Sequence, residues 1–230
     1  MVTRRLVMFA AGAATLWSTA FAGTVLIPGL GGGVEVAVES YQDQRFSSIM
    51  RQQYDFSCGS AAVASLLSYH YNDPVTEADV FRGMFALADP DKVRREGFSM
   101  FDMKRYLESK GYRADGFRLP IDMMREKVAL PAIALVTLDG YRHFVVIKGI
   151  SDREVYVGDP TRGLKVYSKT QFLEFWDGTA FVIRNHVALG RETFNRDGSW
   201  PQYVRAPLSL RPDGPSLGHT LPYWPTPREW

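Results

Sequence analysis

A chain of 230 residues with 27 Lys and Arg against 25 Asp and Glu is close to neutral, which gives no support for nucleic-acid binding, since that relies on clustered basic charge. Its 46% hydrophobic and 13% aromatic content suits a folded core, in one domain of about 150 residues. A single cysteine, Cys58, excludes an internal disulfide.

The chain opens with Arg4 and Arg5, an apolar run from Leu6 to Thr19, and Ala20-Phe21-Ala22. That pattern is a secretory signal peptide with cleavage after Ala22. The run is diluted by Gly, Thr and Ser and is shorter than the about 20 strongly apolar residues of a membrane anchor. Later segments are shorter still, so the mature chain is expected to lack a transmembrane segment. It would begin at Gly23, have 208 residues, and, having lost Arg4 and Arg5, carry 25 charges of each sign.

Gly23 to Gly33, "GTVLIPGLGGG", reads as a flexible lead, and the alternation "VEVAVES" places a strand within Val34 to Phe46. "SAAVASLL", Ser60 to Leu67, is apolar on nearly every face, as in a helix buried on most sides. Thr76-Glu77-Ala78-Asp79 caps a second helix, Ser99 caps a third that Gly111 ends, and a short one follows Pro120. "AIALVTL" and "HFVVIKGI", joined at Asp139-Gly140, form a hairpin; "EVYVGDP", "LKVYS" and "TAFVIR" add three strands. Helices before a mostly antiparallel sheet define an α+β architecture. Periodicity fades from about Asn185, and seven prolines from Pro201 to Pro227 interrupt a tail whose Trp200, Tyr223, Trp224 and Trp230 suit docking better than spacing.

In an exported chain a lone thiol is an inert buried group, an intermolecular bridge or a nucleophile. Cys58 precedes Gly59 at the expected N-terminus of the buried helix, where the helix dipole favours a thiolate. A nucleophilic thiol needs an imidazole. His70 lies about three turns further along the same helix, too far to reach. His186 and His219 suit surface positions, whereas His143 begins an apolar strand directly after a tight turn. Asp159, ending "VYVGD", could orient that ring from an adjacent strand, although an aspartate before proline also fits an ordinary turn. An oxyanion needs donors; Gln52, six residues before Cys58, can supply one, and its neighbour Gln53 is an equal candidate by position.

Gln52 with "QYDFSCGSAA", then "YRHFVVIKGI", then "VYVGDPTRG" resembles the C39 family of papain-like cysteine peptidases over Arg51 to Arg184. The resemblance implies a papain-like fold, with Cys58 as nucleophile, His143 as base, Asp159 as orienting acid and Gln52 as oxyanion donor, and no cofactor or metal. It also implies cleavage after glycine in a peptide or protein substrate. Ser57 stands where the family often has an acidic residue, which bears on substrate preference. C39 domains usually begin exporters, but no GxxxxGK[ST] ATPase loop or transmembrane bundle follows here. The comparison is therefore with exported members that accompany surface-fibre systems, including functional-amyloid secretion in pseudomonads. It implies a periplasmic location and fibre or secretion proteins as partners.

The expected organisation is a signal peptide (1–22), a lead segment (23–50), a C39-like domain (51–184) and a Pro- and aromatic-rich tail (185–230). A non-proteolytic peptide-binding adaptor on the same fold is the alternative function, although binding-only relatives typically lack the cysteine. An acyltransferase using an amine acceptor is a third. Self-cleavage within Gly29–Gly33 is weighed against a plain glycine linker, which needs no further cause.

Overall fold

The computed structural model describes residues 23–26, 35–38, 41–138 and 140–196. The expected signal peptide, the Gly29–Gly33 run, His219 and the chain beyond residue 196 lie outside them. The chain divides into two units between Gln44 and Arg45. In the first, β1 (Gly23–Leu26) pairs antiparallel with β2 (Glu35–Val38), Gly23 opposite Val38. The start of the expected lead segment is therefore a strand, in keeping with the β-propensity of Thr24 and Val25. The strand expected within Val34 to Phe46 covers only four residues. The polar run Gln42-Asp43-Gln44-Arg45 lacks the alternation a half-buried strand needs, and helix α1 (Tyr41–Arg45) forms there.

The second unit is built around α2 (Cys58–His70), which buries ten of its thirteen residues. Its alanines and serines admit close neighbours: α3 (Glu77–Leu87), α5 (Met100–Ser109) and the sheet all pack on it. Capping is as the sequence indicates. Thr76 accepts from the Asp79 N–H, and Ser99 forms a reciprocal box with Asp102. Between these helices lies α4 (Pro90–Glu96), started by Asp89 with Pro90 in the first turn. After Pro120, α6 (Ile121–Met123) runs into a π-helical turn, Met124–Val128.

Six antiparallel strands form the sheet. They are β3 (Ala114–Arg118), β4 (Ala132–Leu138), β5 (Tyr141–Ile150), β6 (Glu154–Asp159), β7 (Gly163–Ser168) and β8 (Trp176–Ile183), in the order β3-β8-β4-β5-β6-β7. The expected hairpin is β4–β5, with Val136 opposite His143. Successive residues serve opposite faces: Phe144 and Val146 join the core around α2. Val145 and Ile147 join a second core with Ile121, Met124, Phe172 and Trp176. Helix α7 (Lys169–Phe175) supplies Phe172 to that second core.

Past Asn185 the chain is still structured: α8 (Val187–Thr193) contacts α2. Asn195 then clasps β5, its side chain accepting from the Ile150 N–H at 2.6 Å and donating to the Ile150 carbonyl at 3.0 Å. This differs from the expected loss of pattern at Asn185. A seven-residue helix is too short to display a period. Among the described residues no helix is long and apolar enough to cross a membrane.

Candidate active site

Cys58 is the first residue of α2 and is partly exposed. The preceding residue, Ser57, is fully buried and does not cap the helix. Its hydroxyl turns back to the loop instead, accepting from the Tyr54 N–H at 3.1 Å and donating to the Tyr54 carbonyl at 3.0 Å. That choice braces the loop and leaves the first-turn N–H groups free of a side-chain cap, so the positive end of the helix faces the thiol.

His143 lies beside the thiol, held by two partners. Its Nε2 is 2.9 Å from Asp159 Oδ1, which leaves Nδ1 as the ring atom available to the neighbouring Cys58 side chain. Burial works against a charged ring, but the hydrogen bonds and charges of Asp159 and Cys58 outweigh it and raise His143 to about 9. The ring therefore carries its proton at neutral pH. Asp159 is 1% exposed. Burial opposes its ionisation; the bond and charge of His143, with the N–H groups of Thr161 and Arg162, hold its carboxyl below the usual range. All three bonds converge on Oδ1, those from Thr161 and Arg162 at 2.8 and 3.1 Å.

Gln52 joins the site through the turn after β6. Its main-chain N–H donates to the Pro160 carbonyl at 3.0 Å, and its side-chain carbonyl accepts from the Thr161 hydroxyl at 3.1 Å. Its amide nitrogen donates to the Tyr54 carbonyl at 3.1 Å, which occupies one of two hydrogens and leaves the other. Gln53 is exposed, so of the two neighbours Gln52 is the one bound to the Asp159 turn. Arg45 also donates to the Arg162 carbonyl, so the segment from Arg45 to Gln52 lies strapped along that turn.

The structure thus brings His143 and Asp159 together beside Cys58, with Gln52 bonded to the turn that follows Asp159. The other histidines lie elsewhere. His186 is exposed and packs edge-on to Tyr112. His70 is buried, bonded to Thr193 Oγ1 at 2.8 Å and to Lys148 Nζ at 2.9 Å. Nothing in the sequence marks Thr161 strongly, because a turn residue has no periodic signature. Its only signal was adjacency to Asp159-Pro160. In the loop before α2, Tyr54 and Phe56 stack at 6.1 Å and both lean on Phe81, at 5.4 and 5.9 Å. Tyr54 is 52% and Phe56 36% exposed, so these rings present an apolar surface on the loop that leads into α2. Among the described residues no group of three His, Cys, Asp or Glu side chains could hold a metal ion.

A thiol at a helix N-terminus, a protonated imidazole and a buried carboxylate form the constellation of a thiol hydrolase. Residues 47–187 match the model of the Peptidase C39 family, and the chain belongs to that family: it is a cysteine peptidase. Two relatives are similar along most of their length. One, from Pseudomonas aeruginosa, is named "Probable functional amyloid protease FapD" and is 45% identical over 167 residues, covering 72% of this chain and 74% of the relative. Its namesake from Pseudomonas fluorescens is 43% identical, covering 71% and 73%. The fold is that of a double glycine motif protease from an AMS/PCAT transporter, solved in complex with its leader peptide. That structure has a TM-score of 0.51 and 23% identity, and the match covers 59% of this chain and 89% of that one.

Proposed function

We propose that this peptidase is exported, that Cys58, His143, Asp159 and Gln52 carry its catalysis, and that it cleaves after glycine in a component of a functional-amyloid secretion system. The observation that supports these roles most is the linked array of Cys58, protonated His143 and buried Asp159. The names of the Pseudomonas relatives support the amyloid setting. The pattern of residues 1–22 supports export to the periplasm.

In this reading the Cys58 thiolate, paired with the His143 imidazolium, attacks the carbonyl of the scissile peptide. The Cys58 N–H and the Gln52 amide receive the oxyanion. His143 gives its proton to the leaving amine, and the same ring then takes a proton from the water that releases the acyl-enzyme. Tyr54, Phe56 and Phe81 offer apolar contacts to substrate residues before the cut. The likeness to double-glycine peptidases supports glycine at the cleaved position, where a narrow cleft would exclude larger side chains.

The test is incubation of purified protein with a panel of Gly-Gly-containing peptides, followed by mass spectrometry. Wild type is expected to yield fragments ending in glycine, and Cys58→Ala to yield none while keeping its circular dichroism spectrum. Equal cleavage by Cys58→Ala would remove the nucleophile assignment. Binding without cleavage by wild type would favour the adaptor function.

A further inference from the structure

Thr161 touches both halves of the array without belonging to the expected catalytic set. Its N–H donates to Asp159 Oδ1 at 2.8 Å, and its hydroxyl reaches Gln52 Oε1 at 3.1 Å. The direction of the second bond follows from chemistry. The Tyr54 carbonyl, 3.1 Å from the Gln52 amide, can only accept, so the Gln52 nitrogen must face it. The Gln52 oxygen then faces Thr161, and the hydroxyl must donate. Two bonds on opposite sides of the amide define its plane, and Thr161 supplies one of them.

We infer that Thr161 is a positioning residue for the oxyanion site: its hydroxyl holds the Gln52 amide so that the remaining N–H points where negative charge develops. This rests on the catalytic reading above. The main-chain bond to Asp159 survives any substitution except proline. The hydroxyl bond does not, so the two roles can be separated. Thr161 is exposed, and Thr161→Val keeps its shape and β-branching while deleting only the donor.

Two reactions of Cys58 distinguish the roles. Alkylation by iodoacetamide is displacement at a saturated carbon and forms no oxyanion. Acylation by N-acetyl-Gly-Gly p-nitrophenyl ester passes through a tetrahedral oxyanion and releases p-nitrophenolate. Removing an oxyanion donor costs about 10²–10³ in rate; loosening one should cost about tenfold. Thr161→Val is therefore expected to acylate about tenfold more slowly, in kcat more than KM, while its alkylation rate follows wild type across pH. Thr161→Ser should recover most of the loss, and adding Thr161→Val to Gln52→Ala should slow acylation no further. Equal loss in both reactions, or no loss in acylation, would overturn the inference. A wild-type protein lacking Cys58-dependent acylation would instead overturn the catalytic reading on which it rests.

Discussion

At the scale of single residues, the role proposed for Cys58 rests on the charge of the His143 ring beside it. The ring pKa rises from 6.5 to about 9 because Asp159 and Cys58 outweigh the cost of burial. A group raised in this way contributes stability that is full below its unfolded pKa and lost as pH rises through the folded one. The imidazolium is thus present through neutral pH and disappears near pH 9, and its influence on Cys58 must follow the same curve. These residues were legible because each has a local signature: a thiol before an apolar helix, a histidine after a turn, an aspartate before proline. Position made Gln52 a candidate donor, but only the family resemblance separated it from Gln53. The partners that hold the site, Ser57 on Tyr54 and Thr161 on Gln52, depend on loop geometry that no residue pattern announces.

At the scale of elements, the turn joining β6 to β7 sets the site. It carries Asp159, whose strand partner is Gly163, and it is gripped by Arg45 and Gln52. Gly163 has φ +79, and a Cβ there would lie 2.6 Å from the Arg45 carbonyl oxygen. Gly163→Ala therefore meets both an unfavourable backbone conformation and a main-chain clash, a cost of about 1–3 kcal/mol. A lowered melting temperature is expected, with slower Cys58 alkylation as Asp159 shifts; an unchanged melting temperature would contradict the packing. The helices were largely readable, because caps and apolar spacing agree with burial. Two others have starts visible in the residues themselves, Asp89-Pro90 for α4 and the Ser168–Gln171 box for α7. Strand β3 was not readable: Ala114, Asp115 and Gly116 are poor strand formers, and pairing with β8 holds them extended.

At the scale of the whole molecule, a second buried cluster lies at the far end of α2 from the thiol. Lys148, 4% exposed, donates to the Ser48 carbonyl at 2.9 Å and lies 2.9 Å from His70 Nε2 and 5.5 Å from the Tyr69 ring. Burial lowers Lys148 from 10.5 to about 7. Burial, and then the charge of Lys148, lower His70 well below 6.5. Between about pH 7 and 10 the unfolded chain holds a proton on Lys148 that the folded chain has released, so this group makes stability rise with pH. His143 acts in the opposite sense up to about 9. Replacing Lys148 with methionine removes only the lysine contribution. The melting temperature of Lys148→Met relative to wild type should therefore increase as pH falls from 10 to 7; a constant difference would show that Lys148 keeps its proton in the fold. None of this cluster was legible beforehand, because His70, Ser48, Lys148 and Thr193 meet only through tertiary packing.

The most direct test of the central claim is the alkylation rate of Cys58 by iodoacetamide against pH, in wild type and in His143→Ala. A protonated imidazole beside the sulfur steadies the negative charge of the attacking sulfur and so speeds its displacement reactions. Wild type should react roughly tenfold or more faster than the variant near pH 6.5, with the advantage vanishing as pH passes about 9 and His143 loses its proton. Equal rates for the two proteins at pH 6.5 would contradict the account, for they would mean that no ion pair is assembled between His143 and Cys58.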